Sequence, residues 1–249
     1  MEQIYKLVDE IYCINLISRP DRYKIMKDFE KEEKIKLNFF RPEKHPEGGR
    51  IGCFTSHITI IQNAYDSGKN LILIFEDDII KTPSYKDICY NEINDFIINN
   101  QNWEMLQLGS FTFNPIDSLL VPMNTKYKNI SQHNSMLASS YIIKRKGMKK
   151  ILDTYKEYIN TEQIDGFYQI IFNKTMYNII PVIFDQDRRL ESNNLWIHPQ
   201  IDKITMFIHV KFNAVYNLSL FKYNNGFIIS YLLIILIVYY LFRLYIKNK

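Results

Sequence analysis

The stretch that most limits what this chain can fold into is Leu71-Ile72-Leu73-Ile74-Phe75, which runs without a break into Glu76-Asp77-Asp78. A short, Ile-rich apolar run, bracketed by Gly68-Lys69-Asn70 and Pro83, predicts a strand buried on both faces of a parallel sheet. The three carboxylates then stand at its carboxyl end, the edge where open α/β sheets bind ligands. Adjacent carboxylates repel one another unless positive charge lies between them, and a divalent cation is the usual answer. The triplet therefore predicts a metal site for a phosphate-bearing substrate. Its alternative is a solvated acidic turn after a core strand.

The segments around it alternate. Ile11 to Leu16 reads as a first strand, followed by the turn Ser18-Arg19-Pro20-Asp21-Arg22 and a helix from Tyr23 to about Glu33, with Asp21 as its expected cap. That turn brings two guanidinium groups to the same sheet edge as the acids, where they can pair with phosphate oxygens; a pair of surface arginines is the plainer alternative. Pro42, Pro46, Gly48 and Gly49 mark a loop. Phe54, Ile58, Ile61 and Tyr65 share one face of a helix over Ile51 to Tyr65, with Gly68 just past its end. Ser56 and His57 lie near its front. Tyr85 to Asn99 reads as one amphipathic helix, Trp103 to Leu108 as a strand, and Phe111 to Asn134 as a long loop with a hairpin. Ala138 to Ile143 is a strand, Lys146 to Tyr158 and Glu162 to Phe172 are helices, and Met176 to Ile180 is a last strand stopped by Pro181. Strands alternating with helices predict an α/β domain with a largely parallel central sheet, spanning 1–192. An irregular extension follows over 193–225.

Gly226 to Ile246 has Arg243 as its one charge. At ~1.5 Å per residue a helix of that length crosses a bilayer core, and the tyrosines and terminal lysines suit the interfaces. A single-pass membrane anchor near the C-terminus is expected, with the catalytic domain on the cytosolic face. Met1 to Glu10 is too polar for a secretory leader. Cys13, Cys53 and Cys89 form no C-x-x-C pair, so spacing signals neither a disulfide framework nor a zinc site. Scattered lysines and a net charge of +4 argue against a nucleic-acid partner.

In order, these segments resemble glycosyltransferase family 25, which includes lipopolysaccharide-biosynthesis and procollagen galactosyltransferases. The matching motifs are Ile14-Asn15-Leu16 with Arg19 and Asp21-Arg22; Ile51-Gly52-Cys53-Phe54-Thr55-Ser56-His57; Leu73 to Asp78; Ser139-Ser140-Tyr141-Ile142-Ile143; and Ile164-Asp165, then Pro181 and Gln186. The resemblance implies a GT-A-like nucleotide-sugar-binding fold and inverting transfer of a hexose, commonly galactose, from a UDP-sugar. It implies Asp77 and Asp78 as ligands of Mn²⁺ or Mg²⁺, and Glu76 as a substrate or supporting residue. Asn15, Arg19 and Arg22 would line the nucleotide side, with Ser56 and His57 beside the metal. Asp165 would be the catalytic base, the carboxylate that inversion needs on the acceptor side. Gln186 falls at a family position near the site. His198 and His209 are further candidate ligands without a motif. The acceptor would be a glycan or a hydroxylysine-type protein group. The reading set against this one is an inactive, membrane-tethered relative serving as a binding or scaffold protein.

Overall fold

The apolar run becomes strand β3 (Leu71–Glu76) at the heart of a sheet, with Ile72, Leu73, Ile74 and Phe75 all fully buried. Successive side chains of a strand point to opposite faces. Leu73 and Phe75 accordingly enter one core, with Met26, Phe96 and Phe184, while Ile72 and Ile74 enter another, with Phe54, Ile61, Met148 and Phe167. Burying each such side chain contributes about 1.5–3 kcal/mol, so this strand anchors both layers.

The computed structural model describes residues 1–110, 126–132 and 135–187. They belong to one compact unit, Met1–Asn194. In chain order the strands are β1 (Glu10–Ile14), β2 (Asn38–Phe40), β3, β4 (Ile79–Lys81), β5 (Met105–Gln107), β6 (Ile130–Ser131), β7 (Ser140–Lys144), β8 (Met176–Ile179) and β9 (Phe184–Gln186). The helices are α1 (Glu2–Tyr5), α2 (Pro20–Glu33), α3 (Gly49–Asp66), α4 (Ser84–Asp87), α5 (Tyr90–Asn99), α6 (Arg145–Tyr158) and α7 (Ile164–Ile171). The main sheet has the order β2-β1-β3-β7-β5-β8-β6, and β4 pairs with β9 apart from it. The α2 and α5 helices pack on one face and α3, α6 and α7 on the other.

The fold is mixed α/β, with a mostly parallel central sheet. Strands β2, β1, β3, β5 and β8 run one way, while β7 and β6 run against them. The reversal of β7 has a simple cause. The chain leaves β5 at the edge that carries the triplet and re-enters at the same edge, where the Glu76 amide donates to the Ser139 carbonyl at 2.8 Å. A connection that begins and ends at one edge makes its strands antiparallel. An apolar run reads the same in either direction, so composition could not reveal this.

Three expectations change. The helix expected over Tyr85 to Asn99 is two helices, because Ile88 adopts an extended conformation and buries its side chain. Asp21 does not cap α2: Arg19 is the N-cap residue, Pro20 takes the first position, and the Asp21 carboxylate accepts from the Arg19 guanidinium at 2.7 Å. Met176 to Ile180 is not the last strand, since the chain goes on past Pro181 to β9, which returns to pair with β4. Its approach depends on Gly109, where a Cβ would meet the Phe184 carbonyl oxygen at 2.7 Å and Ser140 Oγ at 2.9 Å. Gly68 has φ +75°, as its position past α3 requires. No described helix is long and apolar enough to cross a membrane. The expected span 226–246, most of the loop 111–134, His198 and His209 lie outside the described residues.

Candidate active site

The register of β1 against β3 places Ile14 opposite Glu76. The next pair along is Asn15 and Asp77, and it closes with a side-chain bond: Asn15 Nδ2 donates to Asp77 Oδ2 at 2.8 Å. Asn15 Nδ2 also donates to the Arg19 carbonyl, which ties the turn after β1, and Asn15 Oδ1 accepts from Arg41 Nε at 3.0 Å. From the first turn of α2, Arg22 Nη1 donates to Asp77 Oδ1 at 2.7 Å and to Asp78 Oδ2 at 3.2 Å. All three side chains are largely buried. An arginine thus supplies positive charge between two members of the triplet, where the sequence predicts a cation.

That charge does not reach every oxygen. Asp78 Oδ1 is buried with no hydrogen-bond partner among the described residues. Burial and the neighbouring Glu76 and Asp77 push the Asp78 carboxyl up to about 7, against the pull of Arg22. Burial raises the Asp77 carboxyl too, although Arg22 and Asn15 oppose the rise. An orphaned buried carboxylate oxygen is costly unless a cation or proton satisfies it.

Glu76, on the opposite face of β3, meets different partners. His57 Nε2 lies 3.2 Å from Oε1, Cys53 Sγ donates to Oε1 at 3.6 Å, and Gln186 Nε2 donates to Oε2 at 3.2 Å. Burial alone would push this carboxyl up; the bond from His57, helped by Cys53 and Gln186, reverses that and holds it below the usual range. Behind His57, Nδ1 is 2.9 Å from the Tyr141 hydroxyl, which is 2.9 Å from that of Tyr168. Gln186 reaches Glu76 because β9 pairs it with Ile79, just past the triplet. The next amide, Asp187, donates to the Asp78 carbonyl at 2.6 Å.

Asp165 stands in the first turn of α7. Arg50, in the first turn of α3, holds the preceding loop by donating to the carbonyls of Ile159, Asn160 and Glu162. Asp165 Oδ1 accepts from the Gly166 amide at 2.9 Å, and Oδ2 from the Leu137 amide at 3.5 Å, with Leu137 in the left-handed region at φ 80°. Burial raises the Asp165 carboxyl, with a further push from Glu76.

Asn15, Arg22, His57, Glu76, Asp77, Asp78 and Gln186 are therefore joined around the end of β3, with Asp165 near enough to feel Glu76. Two expected residues have side chains bonded to other groups, although the Arg19 carbonyl accepts from Asn15. The Arg19 guanidinium pairs with Asp21, and Ser56 Oγ donates to the Gly52 carbonyl at 2.6 Å inside α3. Reasoning from sequence gave no role to Arg41, Cys53, Tyr141 or Tyr168. The available signal was the four-residue step from Cys53 to His57, which stacks both on one helix face.

Comparison with known proteins agrees on the family. The model of "Glycosyltransferase family 25 (LPS biosynthesis protein)" matches residues 43–168, just over half of the chain. The mouse protein "Inactive glycosyltransferase 25 family member 3" is 27% identical over 73 residues, covering 29% of this chain and 12% of its own length. The rat protein "Probable inactive glycosyltransferase 25 family member 3" is 26% identical over 73 residues, covering 29% of this chain and 13% of its own. The match thus spans about an eighth of those relatives. Among solved structures, a glycosyltransferase involved in glycosylation of the PBCV-1 major capsid has a TM-score of 0.44 at 10% identity, over 73% of this chain and 94% of that one. A Drosophila β1,4-galactosyltransferase 7 in complex with manganese, UDP-Gal and xylobiose has a TM-score of 0.43 at 10% identity, over 78% and 79%. These two likenesses are too loose to carry a functional conclusion. The family match covers the loop before α3, α3 itself, the triplet, β7 and Asp165, and on it the chain belongs to glycosyltransferase family 25.

Proposed function

We propose that this chain is a metal-dependent, inverting glycosyltransferase with a GT-A-like site, moving a hexose, galactose by family habit, from a UDP-sugar to a glycan or hydroxylysine-type acceptor. The observation that carries the reading is Asp78, a buried carboxylate with one oxygen left without a partner among the described residues and a proton affinity raised to about 7. That donor chemistry fits a hard divalent cation, Mn²⁺ or Mg²⁺, held by Asp78 with Asp77. When bound, the ion neutralises charge that develops on the departing diphosphate. Arg22 and Asn15 stand on the same side and orient the nucleotide end. Glu76, kept anionic by its donors, accepts hydrogen bonds from sugar hydroxyls. Asp165, its proton affinity raised by burial, takes the proton of the acceptor hydroxyl. We also place the domain at the cytosolic face of a membrane, anchored by 226–246; carbonate-resistant sedimentation with the membrane fraction would support this, and release would sink it.

Thermal unfolding with UDP and Mn²⁺ tests the donor site. Ligand at ~100 times its dissociation constant adds about 2.7 kcal/mol, which for this size raises the midpoint by roughly 5–10 °C. The rise should need both ligands and vanish in Asp78→Ala. Asp165→Asn should keep the rise and lose about 10²–10⁴ in transfer rate.

A second reading has its own support. The matched relatives are called inactive, and Arg22 already bridges Asp77 and Asp78. If the midpoint ignores UDP at every metal concentration, the chain is a tethered binding or scaffold protein.

A further inference from the structure

The Glu76 side of the site holds a second set of ligand atoms. Cys53 Sγ, His57 Nε2 and a Glu76 carboxylate oxygen all lie within 4.8 Å of one another. One turn of α3 stacks Cys53 and His57 on a single face, and the end of β3 brings Glu76 to them. Tetrahedral zinc, with bonds of about 2.3 Å to sulfur and about 2.0 Å to nitrogen or oxygen, sets ligand edges of about 3.5 Å for S–O and about 3.3 Å for N–O. The edges here are 3.6 Å from Cys53 Sγ and 3.2 Å from His57 Nε2 to Glu76 Oε1. The other His57 nitrogen is held by Tyr141, itself held by Tyr168. A fixed ring with its far nitrogen hydrogen-bonded is the usual support of a metal-binding histidine. His57 is fully buried, while Cys53 and Glu76 keep partial exposure, so what solvent contact the cluster has lies on their side.

We propose that Cys53, His57 and Glu76 form a binding site for a zinc-type divalent cation, separate from the carboxylate site at Asp77 and Asp78. Three protein ligands leave a fourth position for water or a substrate oxygen. Thiolate and imidazole select a borderline-soft ion, whereas the all-oxygen pair beyond Glu76 selects Mg²⁺ or Mn²⁺. The protons balance. Without the ion, the Glu76 carboxylate can only accept, so His57 donates from Nε2 and accepts from Tyr141 at Nδ1. On binding, the Cys53 thiol releases one proton to solvent. The His57 proton shifts to Nδ1, and the Tyr141 hydroxyl turns to accept it while donating to Tyr168.

Cobalt(II) is the probe. Titrating the purified full chain with Co²⁺ should give a near-ultraviolet sulfur-to-cobalt charge-transfer band that saturates at one equivalent. The band should vanish in Cys53→Ser and persist in Asp78→Asn. Its absence from the unmodified chain, or its persistence in Cys53→Ser, overturns the proposal. Alkylation with iodoacetamide, mapped by mass spectrometry, avoids any folding defect of the variant. Zn²⁺ at ~100 times its dissociation constant should slow Cys53 alkylation about a hundredfold and leave the exposed Cys89 unchanged. Burial and the nearby Glu76, Asp165 and Asp78 hold the metal-free Cys53 thiol well above its ordinary value. The comparison is therefore run at a pH at which Cys53 reacts without Zn²⁺, and equal rates there also overturn the proposal. Neither readout involves UDP, so failure here is distinguishable from failure of the transferase reading.

Discussion

Glu76 and Asp77 are neighbours in the chain, yet they sit in opposite kinds of environment. Asp77 faces α2, where it meets a buried guanidinium and an amide. Glu76 meets an imidazole and a thiol from α3 and an amide from β9. The alternation of a strand makes this split. It assigns one carboxylate to a charge-paired network and the other to a network of short side chains around a histidine. The Asp77 side is left short of a partner at Asp78 Oδ1, and there the proton affinity rises. The Glu76 side keeps its carboxyl ionised. Two carboxylates one residue apart can therefore serve different tasks at one pH.

The largest effect should come from Arg22→Met. It leaves two buried carboxylates without their shared cation, and breaking such a pair costs about 3–5 kcal/mol, or about 10 °C in the unfolding midpoint. Mn²⁺ should restore part of the loss. A loss under about 1 kcal/mol would show that the guanidinium does not neutralise the acids.

Next comes pH. The Asp78 carboxyl moves from its ordinary 3.8 in the unfolded chain to about 7 in the fold. Between those values the folded state holds the extra proton, so this group's contribution to stability is greatest below 3.8 and is lost as pH rises towards 7. Asp78→Asn should remove that slope, and a saturating divalent cation should flatten it; an unchanged slope in Asp78→Asn would place the titration elsewhere.

On the Glu76 side, Tyr141→Phe strands His57 Nδ1 and the Tyr168 hydroxyl, for about 1–3 kcal/mol in chemical unfolding. Losing these neutral hydrogen bonds should cost less than losing the charged pair on the other side. Loss as large as in Arg22→Met would erase the distinction between the two sides.

The ion pair of Arg19 with the half-exposed Asp21 contributes about 0–1 kcal/mol, so Arg19→Ala should cost less stability than Tyr141→Phe. Its use lies in binding. If Arg19 swings to a phosphate, UDP affinity falls about tenfold, roughly 1.4 kcal/mol. Unchanged affinity in a UDP titration would leave Arg19 as a structural partner of Asp21.

Local chemistry in the sequence was enough for the double-sided burial of Leu71 to Phe75, the acids at the strand's carboxyl end, the helix from Ile51 to Tyr65 and the turn bearing Arg22. Each depends on a few consecutive residues and a period of 2.0 or 3.6. The break at Ile88, the reversal of β7 and the return of β9 were not legible. They depend on which buried surface a segment finds and on which edge it re-enters from. The candidate site divides in the same way. Composition pointed to a cation beside Asp77 and Asp78 and to arginines at the same edge for a phosphate, while only the tertiary structure paired Arg22 with the acids themselves. Spacing signalled no zinc site, because Cys53 and Glu76 are 23 residues apart. Packing α3 against the end of β3 brought them to 3.6 Å. A chain's short-range pattern determines its elements, but ligand geometry is a property of how those elements are packed.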